Sequence, residues 1–185
     1  MTDSPTANTE VQAAATGGAS PGTGRPSDPL RESVRIRPAA PGDLPALLQF
    51  LQPFVEQGKL IPRTLDELEE LLPGCFVAVD GDRIVGSAAL EIYSQKMAEL
   101  RSLAVDLEYR RHGVGSRLVA ACVDLARSRN VLEVMAITSS ERFFVSCGFD
   151  FTLPGEKKAL FYQTSDPAEW LERNKARRTA DPRGA

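Results

Sequence analysis

The chain has 185 residues, a formal charge of −3 and 42 % hydrophobic residues, which is room for one folded domain and little more. The acidic balance argues against a nucleic-acid binder, and no apolar run approaches the roughly 18 residues of a membrane span. A single histidine, His112, and three widely spaced cysteines, Cys75, Cys122 and Cys147, argue against a metal centre, a zinc ribbon and a disulfide scaffold. The thiols read as reduced and the protein as cytoplasmic, since the N-terminus also lacks the basic opening and apolar stretch of a signal peptide.

Residues 1–33 are built from Ser, Thr, Ala, Gly and Pro, with Val11 and Leu30 as the large aliphatics. Such a stretch buries too little apolar surface to offset chain entropy and is expected to be disordered. Order is expected from Val34, where alternation over 34–37 predicts a strand. Asp43 is placed to cap a helix carrying Leu44, Leu47, Leu48, Leu51 and Val55 on one face, with Pro53 expected to kink it or begin a new segment. Gly58 ends that element. Thr64 and Glu67 form a capping box for a helix through Leu72, stopped by Pro73-Gly74. Residues 75–79 and 84–92 read as strands joined by an Asp80-Gly81 turn.

A strand is predicted over 98–105, a helix to about Arg129, a strand over 131–137 and a short helix over 140–147, ended by Gly148. Strands near 149–152 and 159–162 complete a domain spanning 34–164. An extension over 165–185 holds a short helix around Trp170 and a basic end with acids mixed in. This order predicts an α/β (α+β) domain with a mixed sheet.

The most informative stretch is Leu103 to Arg117, LAVDLEYRRHGVGSR. A buried strand enters a loop holding Arg110, Arg111, His112, Gly113, Val114 and Gly115, and a helix starts at once. Glycines let backbone N–H groups approach a ligand, the helix start adds unsatisfied donors, and arginines add charge. The pattern reads as a cradle for phosphate or pyrophosphate; the alternative is a glycine-rich turn with surface arginines. No Gly-Lys-Ser/Thr is present, and the spacing is not that of a dinucleotide fingerprint.

Arg110-x-x-Gly113-x-Gly115 after Leu103-Ala104-Val105 resembles the acetyl-CoA motif of the GNAT superfamily of N-acyltransferases, and Phe144-x-x-x-Gly148-Phe149 resembles its C-terminal half. The resemblance covers residues 34–163. It implies a GNAT fold, with a central mixed sheet, splayed strands and flanking helices. It also implies that main-chain groups of Leu103, Ala104 and Val105 bond the pantetheine arm, and that the loop from Arg110 to Ser116 holds the pyrophosphate.

Four stretches are similar to the acetyltransferase domain of N-acetylglutamate synthases, especially short stand-alone forms. They are Phe54 to Thr64 (FVEQGKLIPRT), Gly86 to Leu90, Ala98 to Val105, and Lys157 to Gln163 (KKALFYQ). The resemblance implies acetyl transfer from acetyl-CoA to the α-amine of L-glutamate, the opening step of arginine synthesis. It assigns substrate contacts to Leu60, Arg63 and Ser102, with Arg101 adjacent. The two arginines suit a dicarboxylate, because each guanidinium is a bidentate donor; ordinary surface charge is an equal reading for Arg101. Glu99 is the candidate base, through water.

Many GNAT members carry a tyrosine where this chain has Phe144, so the proton for the leaving thiolate falls to Ser139, Ser140 or water; both serines also suit a helix cap. Thr164 stands where related synthases often have an arginine. Other acceptors stay open on these grounds: another amino acid, a polyamine or a protein amine. So does a non-catalytic acyl-CoA sensor. A homodimer is also left open.

Overall fold

The structure, a computed structural model, describes residues 28–151 together with Asp166, Glu169 and Glu172. The tail before Asp28, most of the strands expected near 149–152 and 159–162, Thr164, the helix around Trp170 and the basic end lie outside the described residues.

Strands β1 (Arg35–Pro38), β2 (Cys75–Asp80), β3 (Arg83–Ile92), β4 (Met97–Val105) and β5 (Glu133–Met135) form one sheet in the order β1-β2-β3-β4-β5. The first four pair antiparallel and β5 pairs parallel to β4, so the sheet is mixed, as expected. A parallel neighbour needs a crossover, here made by α4 (Val114–Ser128). Helices α2 (Leu44–Glu56) and α3 (Leu65–Leu71) lie between β1 and β2 in the chain; α5 (Glu141–Ser146) follows β5.

The alternating strands give two cores. On one face, Ala88, Leu90, Ala98 and Leu100 meet Leu118, Val119, Cys122 and Ala126 of α4. On the other, Val77, Val79, Ala89 and Ala104 meet Leu44, Leu47 and Leu51 of α2 and Leu68 of α3. Leu118 and Leu47 are fully enclosed, each contributing on the order of 2 kcal/mol of apolar burial.

The capping box of α3 is present as expected: Thr64 Oγ1 accepts from Glu67 N–H at 3.2 Å, and the Glu67 carboxylate accepts from Thr64 N–H at 2.8 Å. Three local expectations are corrected. Asp43 does not cap α2 with its side chain. Its carboxylate instead takes the Ala40 N–H at 2.7 Å and the Arg37 guanidinium at 2.6 and 2.8 Å, which are nearer and stronger donors. Pro53 begins no new segment: it lies inside α2, where Gln49, whose carbonyl loses its partner, is solvent-exposed. Residues 29–33, expected to belong to a disordered tail, form α1 (Pro29–Ser33), capped by Asp28.

The feature that positions the site is in β4. Ala89 pairs with Arg101 and Ser87 with Ala104, so Ser102 and Leu103 together face one residue, Ala88. This is a β-bulge, with Ser102 at φ +53° and its carbonyl accepting from the Ser87 hydroxyl at 3.3 Å. The bulge reverses the alternation. Ala98 and Leu100 face α4 before it, and Leu103 and Val105 face that side after it. Pairing with β5 covers only Met97, Ala98 and Glu99. Beyond them β4 runs on with its β5-side edge open among the described residues.

Candidate active site

At the open end of β4, a short turn over Leu107–Tyr109 leads into the glycine loop. The Tyr109 hydroxyl donates to Asp80 at 2.7 Å and Arg110 Nε donates back to the Val105 carbonyl at 3.1 Å, so the loop is pinned to the sheet at its start. Arg111 (φ +67°) and Gly113 (φ +77°) both take the left-handed conformation, which turns the chain into α4. Arg117 N–H donates to the Gly113 carbonyl, the first acceptor of the helix. The N–H groups of Val114, Gly115 and Ser116 therefore precede any intrahelical partner and sit at the positive end of a 15-residue helix. A Cβ on Gly115 would come within 3.2 Å of the Phe143 ring, so α5 packs closely over that glycine.

The structure thus brings Arg110, Arg111, Gly113, Val114, Gly115 and Ser116 together as an N–H-lined cradle beside the open edge at Leu103, Ala104 and Val105. His112 differs. Its Nδ1 lies 2.7 and 2.9 Å from the two carboxylate oxygens of Asp28, and this contact holds the Asp28 carboxyl below its ordinary range.

The other half of the site lies on the α2/α3 side of the sheet. Leu60, Arg63 and Ser102 line one small concavity of about 10 Å³, whose remaining wall is Gln52 and apolar side chains such as Leu48, Leu51 and Val55. Arg63 is half-buried there. Desolvation, and next the Arg101 charge, lower its guanidinium below the ordinary value, while Glu67, Glu91 and Glu99 pull the other way. It stays cationic throughout the working pH range. On its other side Arg63 borders a larger groove of about 420 Å³ that also holds Glu67, Glu70, Glu91 and Arg129.

Arg101 is the residue whose surroundings differ most from expectation. It is ion-paired with Glu91, and its Nε lies 3.8 Å from Glu99. Glu91 and Glu99 are direct cross-strand partners, a repulsive arrangement that Arg101 neutralises from the diagonal position. Its guanidinium is therefore engaged within the sheet and is not among the residues lining the Leu60–Arg63–Ser102 concavity.

Glu99 is mostly enclosed and accepts a hydrogen bond from the Tyr93 hydroxyl. Loss of water around that hydroxyl, then the Glu99 contact, push the Tyr93 phenol up to about 12, although half the residue is exposed. Tyr93 is thus a permanent donor to Glu99. Sequence reasoning missed it because the cue, a tyrosine one step past a strand end, has no periodicity.

Ser139 and Ser140 lie exposed on the connection from β5 to α5. Ser140 occupies the cap position of α5, but its side chain makes no cap bond; its carbonyl accepts from Phe143 and Phe144 instead. Phe144 is buried, edge-on to Phe143 and Phe149. Burial pushes the Cys75 thiol up to about 11 and the Cys122 thiol up to about 12, which removes both as nucleophiles. Among the described residues, no three His, Cys, Asp or Glu side chains gather as metal ligands would, and no helix is long and apolar enough to cross a membrane.

Comparison with known proteins agrees with this architecture. The chain is 30 % identical over 114 residues to an uncharacterized N-acetyltransferase of Chlorobaculum tepidum, covering 62 % of this chain and 74 % of the relative. It is 31 % identical over 136 residues to the amino-acid acetyltransferase of Pasteurella multocida, covering 70 % of this chain and 31 % of that protein. The match to such amino-acid acetyltransferases spans about a third of their length. The N-acetylglutamate synthase of Neisseria gonorrhoeae, crystallised with coenzyme A and N-acetyl-glutamate, superposes with a TM-score of 0.60 at 26 % identity, over 78 % of this chain and 32 % of that one. Residues 44–149 match the acetyltransferase (GNAT) family, and they contain both α2 and the whole strand–loop–helix cradle; the chain belongs to that family.

Proposed function

We propose that this chain transfers the acetyl group of acetyl-CoA to the α-amine of L-glutamate. The observation that carries this reading is the convergence of Leu60, Arg63 and Ser102 on one concavity beside the β4 bulge. These residues come from separate parts of the chain, and the cation among them suits a carboxylate. Acetyl-CoA would supply an activated thioester; the N–H groups at the start of α4 and the open edge of β4 fit its diphosphate and its pantetheine arm.

In this reading the protein acts mainly by holding two reactants face to face. Main-chain N–H groups on the free side of β4 would polarise the thioester carbonyl that the acceptor amine attacks. Glu99 receives the ammonium proton through water. Both its contacts, from Tyr93 and Arg101, fall on Oε2, which leaves Oε1 for that task. Arg63 orients the carboxylate. Water or Ser139 and Ser140 return a proton to the thiolate, since Phe144 cannot. The buried, unpaired Cys75 and Cys122 fit a reducing cytoplasm.

One observation favours a second acceptor class. The larger groove beside Arg63 carries Glu67, Glu70 and Glu91, which suit a cationic polyamine or protein amine. Purified chain given acetyl-CoA and a panel of amines, read by mass spectrometry, separates the two. Acetylation of glutamate supports the first reading. Preference for polyamines or peptides overturns it in favour of the groove, and binding without turnover on any amine favours a sensor.

A further inference from the structure

We propose that Arg31, contributed by α1, is an additional diphosphate-binding residue of the cofactor loop; this rests on the reading that the loop binds coenzyme A. Its guanidinium lies over Gly113: Cζ and Nε are each 4.0 Å from where a Cβ on that glycine would stand. The side chain is exposed, and among the described residues no carboxylate comes within ion-pair distance of it. A cation held over an N–H-lined cradle and outside any side-chain ion pair suits a phosphate oxyanion.

Four contacts hold α1 in this place. The Asp28 carboxylate spans from His112 of the loop to the Arg31 N–H, at 2.7 Å and 3.3 Å. Arg117 of α4 donates to the Arg31 carbonyl at 3.1 Å and to the Val34 carbonyl at 2.9 Å. The strap is thus fastened to the loop on one side and to the first turns of α4 on the other. His112 serves as the anchor of this strap, which explains why its ring is turned to Asp28. Residues 28–33 precede the stretch that matches the family, so the family pattern does not predict this cation.

The test is calorimetric binding of coenzyme A and of dephospho-coenzyme A, which keeps the diphosphate and lacks the 3′-phosphate, to the full chain and to Arg31→Ala and Arg31→Lys. We expect Arg31→Ala to bind both ligands about tenfold more weakly, and Arg31→Lys to recover most of the loss. The deficit should shrink as salt is raised, because the group is exposed. Thermal unfolding checks that the variants stay folded, and Arg31→Gln repeats the comparison should Arg31→Ala not fold. Wild type that binds no coenzyme A overturns the loop reading and this proposal together. Wild type and Arg31→Ala binding alike overturn Arg31 alone. A deficit confined to coenzyme A moves Arg31 to the 3′-phosphate and overturns the diphosphate assignment.

Discussion

The two ends of β4 are built from different materials. At the loop end the donors are main-chain N–H groups, and the geometry comes from two left-handed residues and a helix start. At the Glu99 end the backbone is ordinary paired strand, and the chemistry sits in a charged lattice of Glu91, Glu99, Arg101 and Tyr93, with Arg63 across from it. A main-chain site is sensitive to an added Cβ and indifferent to most side-chain exchanges. A side-chain site behaves in the opposite way. The bulge at Ser102 is the joint between them, because it turns Leu103 and Val105 away from the face that carries Glu99 and Arg101.

The sharpest way to break this contrast is Gly113→Val. A β-branched residue at φ +77° is strained by at least about 1–2 kcal/mol and projects into the cradle. Coenzyme A affinity should fall by roughly 100-fold or more while the melting temperature drops only a few degrees. Unchanged affinity would show that the loop does not carry the ligand.

Glu99→Gln tests the other end. It keeps shape and the cross-strand pairing but removes the base, so kcat should fall by roughly 100-fold with coenzyme A affinity untouched. A kcat within twofold of wild type removes Glu99 from the chemistry. Arg63→Ala should raise the acceptor KM about tenfold and leave the acetyl-CoA KM in place, the signature of lost acceptor binding. Equal changes in both would mean that Arg63 supports the fold of the site as a whole.

The smallest effect concerns a pair remote from both ends. Arg37 and the Ala40 N–H hold the Asp43 carboxyl at about 2, below its ordinary 3.8. A lowered folded-state value gives stability that is present above the unfolded value and lost as the pH falls from about 4 through about 2. Because Arg37 is partly exposed, we expect Asp43→Asn to cost only about 1 kcal/mol at neutral pH, by denaturant titration. The difference from wild type should vanish in acid, and coenzyme A binding should not change. A difference that persists at pH 2 would mean the pair is not its source.

Much of this was readable from short stretches of chain. The capping box at Thr64, the helical stripe of Leu44, Leu47 and Leu51, the strand alternation and the order strand, loop, helix around Gly113 all follow from rules that act within a few residues. That Leu60, Arg63 and Ser102 belong together was expected only through resemblance, since their spacing has no period; the structure places them on one concavity.

What the chain alone determined, then, is which segments become helix and strand, because backbone sterics and amphipathic periodicity are local. Only the tertiary structure decided the bulge at Ser102, the capture of Arg101 by Glu91 and the docking of Asp28 on His112, 84 positions away. Each of these depends on strand register or on a contact between distant segments, and a charge finds its nearest strong partner only after the sheet has set who stands opposite whom.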